Sequence, residues 1–487
     1  MEESEMRLLK EKMPLITALA LVFILVFTLA LTPGCSTGGD NVNDQQSDPK
    51  RDKIATAEEI AAANQSAQRN MLLIGCWIPP RQHQMKTAED ANARMAELKA
   101  SGLNCISTHH SDLGNLKFLN RVLDAAQEND VKVIIELVPD ISKNGIKQNL
   151  AFVRKTMDHP AVIGYDLLDE PGESAAEGLK SEFDQIRELT GDSKILMINM
   201  LPNYGPQAAM APVPAEGLTW YQTYLDTFLK TGTEALSFDF YPYSANPAGD
   251  AASLCRMMEN LSDIAYMSQK YDVPAWGFVQ DSSWNGMRAP SDSELLLISH
   301  LHLIFGLESY SYFLYADTSN GAEGDFLGML RWDNTLSEVY YRVQRNNAHI
   351  GGMGYRFLSY KLKGFLTDKL GRLGYPEAIH KSFRLKADDR LKSIDTDLDT
   401  LVGVFEGRTE AENIARGYAT DNAEKGYYVL NYDLYNKNTV TLNFKESTPY
   451  TVWGPDGIEA MGNAKSVTVE IDPCDARFVE LRTFFAE

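Results

Sequence analysis

Eight apolar, strand-like runs recur along the chain, at 71–77, 104–108, 131–138, 161–168, 194–199, 235–241, 275–279 and 309–315. Amphipathic, helix-like segments lie between them, for example at 90–101, 116–129, 176–189, 252–271 and 291–305. Strands spaced roughly 30–40 residues apart, with helices between, are joined by crossovers that make them parallel and right-handed. Eight such units match a (β/α)8 (TIM) barrel in size, closed here by a helical stretch at 336–351. A doubly wound open sheet is the rival, but no Gly-rich phosphate turn follows the first run. The predicted class is therefore α/β, with the barrel over 67–352.

The pattern then changes. Residues 353–395 read as a connecting segment. Short alternating runs follow at 426–432, 439–444, 450–453, 466–471 and 476–481, with Asp456-Gly457 as a hairpin-turn dipeptide. A small antiparallel β-sandwich is expected over 396–487. At the other end, Arg7, Lys10 and Lys12 precede an apolar run at 15–31, then Leu31-Thr-Pro-Gly-Cys35 and a polar stretch. This resembles a bacterial lipoprotein signal: residues 1–34 are the leader, Cys35 takes the lipid, and 35–66 form a flexible tether. An uncleaved anchor is the alternative, since the apolar run approaches the roughly 20 residues of a spanning helix. Both readings place the rest of the chain at the cell envelope, on the periplasmic or extracellular face, with the membrane as a partner.

A net charge of −21 argues against a nucleic-acid partner, which selects basic surfaces. Uncharged sugars fit an acidic surface, and 22 Tyr with 6 Trp can supply stacking faces, although most aromatics belong to cores. Beyond Cys35, Cys76, Cys105, Cys255 and Cys474 are scattered, so cysteine-bound metal is excluded. Cys76 and Cys105 lie on neighbouring strands; two buried thiols are expected there rather than a disulfide.

The fourth run ends in Asp169-Glu170-Pro171. Two adjacent carboxylates at the end of a buried strand are costly to desolvate, and the following proline ends the strand. At the C-terminal face of a barrel, Glu170 suits a general acid/base with a pKa raised by burial and by Asp169. A helix-capping carboxylate is the plainer reading. No G-x-S-x-G elbow and no P-loop is present.

His159-Pro-Ala-Val-Ile-Gly-Tyr165 with Asp169-Glu170-Pro171 resembles strand four of clan A glycoside hydrolases, the barrel superfamily of cellulases and β-galactosidases. The resemblance implies that Glu170 is the acid/base and that Asp169 contacts the sugar. Residues 236–243 and 309–315 resemble strands six and eight, with Tyr241 near the site. The chain departs from the family on strand seven, where Gln280 stands in place of the nucleophilic Glu. Asp281 is one candidate for the second carboxylate and Asp239 the favoured one. In a third account Asp169 orients a substrate N-acetyl group while Glu170 protonates the leaving oxygen.

Other strand-end residues are candidates for sugar binding: Trp77, His109, His110, Glu136, Asn199, Gln280, Trp284 and Tyr315. His109-His110 lack a third ligand at helical spacing, so neither metal nor cofactor is expected. The function read from the sequence is hydrolysis of O-glycosidic bonds in an oligo- or polysaccharide. The rivals are a non-catalytic carbohydrate-binding lipoprotein on a degenerate barrel, and a tethered partner-binding domain.

Overall fold

The computed structural model describes residues 52–484 except 208, 211–212, 321–323 and 367–377. The predicted leader, Cys35 and most of the tether lie outside the described residues. The last residues of the expected tether are not flexible. Lys53–Ile54 already pairs as a strand, and Ala57–Ser66 is a helix (α1). Thr56 and Glu59 cap it reciprocally, and its alanine-rich sequence has high helix propensity.

All eight strand-like runs contain strands: β1 (Leu73–Cys76), β2 (Cys105–Ser107), β3 (Lys132–Glu136), β4 (Val162–Asp169), β5 (Ile195–Met200), β6 (Leu236–Phe238), β7 (Trp276–Gln280) and β8 (Ser309–Phe313). They form two parallel sheets, β2-β3-β4-β5-β6 and β1-β8-β7. Parallel bridges join the sheets at both edges: Trp77 with Ser107, and Leu236 with Ala275 and Asp239 with Phe278. Asn104 stitches the first seam, accepting from Ile74 N at 2.8 Å and donating to Leu72 O at 2.8 Å. Gly75 lets β1 and β8 approach closely, because a Cβ would strike the Ser311 hydroxyl. The result is a curled parallel arrangement.

Helices α2 (Ala88–Ala100), α3 (Leu116–Glu128), α4 (Lys143–Thr156), α5 (Ala176–Thr190), α6 (Trp220–Leu229), α7 (Asp250–Tyr271) and α8 (Asp292–Ile304) connect successive strands; α9 (Glu338–Gly352) follows β8. Capping boxes start α2, α6 and α8. Helix α3 shows why such segments pack: Phe118, Leu119, Val122, Leu123 and Ala126 form one buried stripe. Each large side chain so buried contributes about 1.5–3 kcal/mol. Cys76, Cys105, Cys255 and Cys474 are free thiols.

The C-terminal region departs from the expected sandwich. Its strands are β9 (Tyr360–Leu366), β10 (Arg384–Leu385), β11 (Leu391–Thr396), β12 (Thr400–Gly407), β13 (Lys425–Asn431), β14 (Asn438–Gly454), β15 (Gly457–Ile471) and β16 (Ala476–Glu480). With Lys53–Ile54 they make one nine-stranded sheet, antiparallel apart from the β9–β10 pair. Its C-terminal part therefore begins at residue 360, inside what reads as a connector. Long β14 changes neighbours along its length, pairing β11 at 440–444 and β16 at 451–453, with a register break between Asn443 and Thr448. A single hydrogen-bonded sheet thus folds over on itself. The turn after β14 is Pro455-Asp456, with Gly457 at φ 97°.

Strand periodicity places this sheet against the parallel strands' helices. Along β12 and β13, Leu401, Phe405, Tyr428 and Leu430 join the main core, while Val402, Val404, Tyr427 and Val429 form a second core. The Tyr428 hydroxyl meets His300 Nδ1 of α8 at 2.7 Å. Fully buried Arg356 pairs with Glu480 at 2.8 Å and Asp421 at 2.6 Å. Trp453 and Tyr360 donate to the same Glu480, so the buried charges are well partnered.

Candidate active site

The C-terminal ends of all eight parallel strands converge on a cavity of about 720 Å³. Trp77 follows β1, His109 follows β2 and Glu136 ends β3. Asp166, Asp169 and Glu170 come from β4, Asn199 from β5, and Asp239 and Tyr241 follow β6. Phe278 and Trp284 come from β7 and the loop beyond it, and Phe313 from β8. A second cavity, of about 730 Å³, lies outside α6 and α7 near His380 and shares only Tyr204 with the first. It gathers no strand-end residues.

The end of β4 is shaped by a bulge. Asp166 pairs with Met197, but Asp169 pairs with Asn199, so three steps on β4 face two on β5. A regular strand alternates faces; the extra residue restores Asp169 to the face of Asp166. The chain then turns at Glu170, which has φ 44°, a left-handed conformation rare for a non-glycine residue. Its N–H donates to Asn199 O at 2.8 Å, and the carbonyl of Pro171 accepts from the Tyr224 hydroxyl at 2.8 Å. The backbone of Glu170 is held from both sides while its side chain opens into the cavity.

Asn199 links the two strands that carry the carboxylates. Its Nδ2 donates to Asp169 Oδ1 at 3.0 Å and to Asp239 Oδ1 at 3.1 Å. Ser237 Oγ donates to its Oδ1 at 2.8 Å, which fixes the amide's orientation. Those two carboxylate oxygens are therefore no farther apart than the sum of the two bonds.

Burial dominates the electrostatics. It pushes Asp239 well above the usual carboxylate range, helped by the charges of Glu170 and Asp169. It does the same to Asp166, helped by Glu136 and Asp169. Asp169 rises to about 6, mainly by desolvation and against the Asn199 hydrogen bond. It opens onto the cavity yet sits deep in the protein, so water reaches it through low-dielectric walls. His110 donates from Nδ1 to Glu136 Oε1 at 2.6 Å, a bond that raises its pKa, whereas burial lowers that of His109. Trp77 Nε1 donates to Glu136 Oε2 at 2.9 Å.

Of the residues proposed from the sequence, Trp77, His109, Glu136, Asp169, Glu170, Asn199, Asp239, Tyr241 and Trp284 line this cavity. His110 stands just behind it, through Glu136. Three do not reach it. Gln280 is fully buried, accepting from Tyr243 N at 2.9 Å and donating to Tyr243 O at 2.9 Å and Arg288 O at 2.8 Å. Its amide ties together two chain segments, so it does not face a ligand. Asp281 is buried on the other side of the strand end, near Arg342, with its pKa pushed well up by desolvation. Tyr315 is packed in the core.

The sequence reading omitted Asp166, Tyr204, Phe278 and Phe313. Asp166 carried a signal, a lone charge inside an otherwise apolar strand. The aromatics carried none, because nothing separates them from core residues in sequence. His109, His110 and Glu136 bring one donor atom each within 4.8 Å of one another, the close spacing a metal needs. Both Glu136 oxygens already accept hydrogen bonds, so the trio is satisfied as a polar network.

No protein-family model and no curated protein matches this sequence. Solved structures with a similar fold include glycoside hydrolases. A glycoside hydrolase family 5 protein from Bacteroides vulgatus aligns with TM-score 0.51 and 9% identity, over 90% of this chain and 94% of that one. The β-galactosidase from Bacillus circulans sp. alkalophilus gives 0.51 and 8%, over 84% and 99%. A catalytic-mutant GH42 β-galactosidase from G. stearothermophilus gives 0.50 and 12%, over 85% and 100%. The chain spans only 60% of another similar chain, a β-galactosidase from the psychrophilic Marinomonas ef1. At these identities the likeness is one of fold.

Proposed function

We propose that this chain is a glycosidase, built on a (β/α)8 barrel formed by β1–β8, that hydrolyses an O-glycosidic bond in the strand-end cavity. One observation carries the reading: Glu170 and Asp239, from the ends of β4 and β6, open into one aromatic-walled cavity, with Asn199 holding Asp239 and Asp169 together. Glu170 is the acid/base. It protonates the leaving glycosidic oxygen as the bond to the anomeric carbon breaks, and the bonding electrons depart with that oxygen. Asp239 is the second carboxylate. The positive charge that develops on the sugar favours its ionised form, and it then attacks the anomeric carbon or takes a proton from the attacking water. Trp77, Trp284 and Tyr241 offer faces for a sugar ring.

The test is hydrolysis of a glycan and aryl-glycoside panel by the wild type, Glu170→Gln and Asp239→Asn. Loss of a positioned acid/base lowers the rate on the order of 10²–10⁴-fold. Cleavage that survives Glu170→Gln undiminished rejects the assignment.

Gln280 and Asp281 favour a second reading. Neither supplies a carboxylate to the cavity from β7, as a binding protein on a degenerate barrel would have it. That reading holds if the wild type binds a glycan and cleaves nothing on the panel. Export belongs to the same proposal: the chain is anchored at the cell envelope through lipid on Cys35. The mass of the mature N-terminus tests this, and an unprocessed Met1 contradicts it.

A further inference from the structure

The second cavity, of about 730 Å³, lies between the start of α6, the middle of α7 and residues 378–384. Tyr204, in the loop after β5, lines both cavities and is 46% exposed. Its ring packs edge-on against Phe240 at 4.9 Å, the neighbour of Asp239 in sequence. Burial raises the pKa of its phenol, and the charges of Asp239 and Glu170 raise it further, so Tyr204 stands in electrostatic reach of both carboxylates. It is the wall common to the two cavities.

The outer cavity has a charge opposite to that of the chain. The protein carries a net −21, yet Arg256, Lys381 and Arg384 line this cavity against two carboxylates, Glu259 and Asp263. Asp263 is already held by Gln222 Nε2 at 2.6 Å, with its pKa raised by burial to about 6. Arg384 donates from Nε to Ile379 O at 2.6 Å. Among the described residues, the side chains of Arg256 and Lys381 form neither a hydrogen bond nor a salt bridge, although Glu259 lies one turn from Arg256 on α7. Burial lowers the pKa of His380 in the same wall, and the charges of Lys381 and Arg384 lower it further. In so acidic a protein, cations left open at a cavity are seats for an anion. Half-buried Trp220 lines the same cavity and offers an apolar face on which a sugar ring can stack. An inorganic anion would meet the cations and leave Trp220 bare. A neutral sugar would cover Trp220 and leave the cations unmet. An acidic sugar uses both.

We propose that the substrate is an acidic glycan that runs from the strand-end cavity past Tyr204 into the outer cavity, where a uronate carboxylate or a sulfate ester meets Arg256 and Lys381 while Trp220 carries the ring. Cleavage of that chain rests on the glycosidase reading; its charge rests on the outer cavity.

Calorimetric titration of the full-length Glu170→Gln protein at pH 7 uses β-1,4-linked hexaoses of glucose and of galactose. Each is offered neutral, oxidised at C6 to the uronate, and sulfated at O6. In one of the two series an acidic form binds roughly ten-fold more tightly than its neutral parent, the worth of one hydrogen bond to a charged group. Which form does so tells carboxylate from sulfate. The preference shrinks as salt rises, because Arg256 and Lys381 are exposed. Arg256→Glu combined with Lys381→Glu abolishes it, and Arg256→Lys keeps most of it. Absence of any acidic chain that binds more tightly than its neutral parent overturns the inference, as does a preference that survives the double charge reversal. In the wild type the favoured chain is also cleaved with a higher kcat/KM than its parent. Equal, measurable kcat/KM values with the binding preference intact mean that the outer cavity is separate from the cleft, and overturn the inference as well. A charge-dependent binding preference with no hydrolysis of any chain overturns the glycosidase reading alone.

Discussion

The ends of β4 and β7 occupy equivalent places in the fold and carry opposite chemistry. At β4 a bulge and a left-handed turn bring Asp166, Asp169 and Glu170 to one cavity. At β7 every polar atom of the Gln280 side chain is bonded to backbone, and the residue is sealed from the cavity. Position at the strand-end face does not itself confer a role. What separates Glu170 from Gln280 is that the hydrogen bonds of Gln280 close inside the protein, whereas the Glu170 side chain opens into the cavity.

The largest effect that sharpens this contrast is on rate. Asp239→Asn lowers hydrolysis at least about a hundred-fold, because an amide can neither attack nor accept a proton. A fall of less than two-fold removes Asp239 from the mechanism. Gln280→Glu tests the other end. The carboxylate loses two donations to backbone carbonyls and sets negative charge against Tyr243 O and Arg288 O, so stability falls by about 2–4 kcal/mol. Denaturant midpoints read that loss, and hydrolysis does not increase. A gain in activity from Gln280→Glu would mean that β7 is an unfinished half of the site.

Asn199→Ala is expected to have an intermediate effect. It frees Asp169 and Asp239 from their shared donor, so the Asp169 pKa rises above about 6. The same loss raises the Asp239 pKa, so the acidic limb of the pH–rate profile, set by that second carboxylate, moves up, and an unmoved profile would show that Asn199 is only structural. The smallest effect is on stability against pH. Asp169 binds its proton more tightly folded, at about 6, than unfolded, at about 3.9. Between those values the native state holds more protons, so its contribution to stability is lost as pH rises from about 4 to 6. Asp169→Asn flattens that segment of the curve; an unchanged slope contradicts the assignment.

The same contrast shows what sequence could reveal. Strand and helix periodicity located every parallel strand, because each run is mostly apolar and bounded by amphipathic helices. The end of β4 was legible because two carboxylates and a proline stand at the close of an apolar run. The bulge at Leu167-Leu168 was not, since nothing in Tyr-Asp-Leu-Leu-Asp marks an unpaired residue; hence the omission of Asp166. Gln280 was misplaced for a related reason: the partners that turn it away, Tyr243 and Arg288, lie in loops whose course is set by tertiary packing. The folded-over C-terminal sheet was read as a sandwich because alternation reports faces and not which strand is the neighbour. Residues 360–366 were missed because Lys361, Lys363 and Gly364 interrupt the apolar run, the two lysines lying on the exposed face.

The central claim is that Glu170 donates the proton to the leaving group, and the leaving-group dependence of hydrolysis tests it most directly. The account predicts that the ratio of wild-type to Glu170→Gln rates grows steadily as the leaving group becomes more basic, from nitrophenols to unactivated sugars. A ratio that stays constant across the series would contradict it.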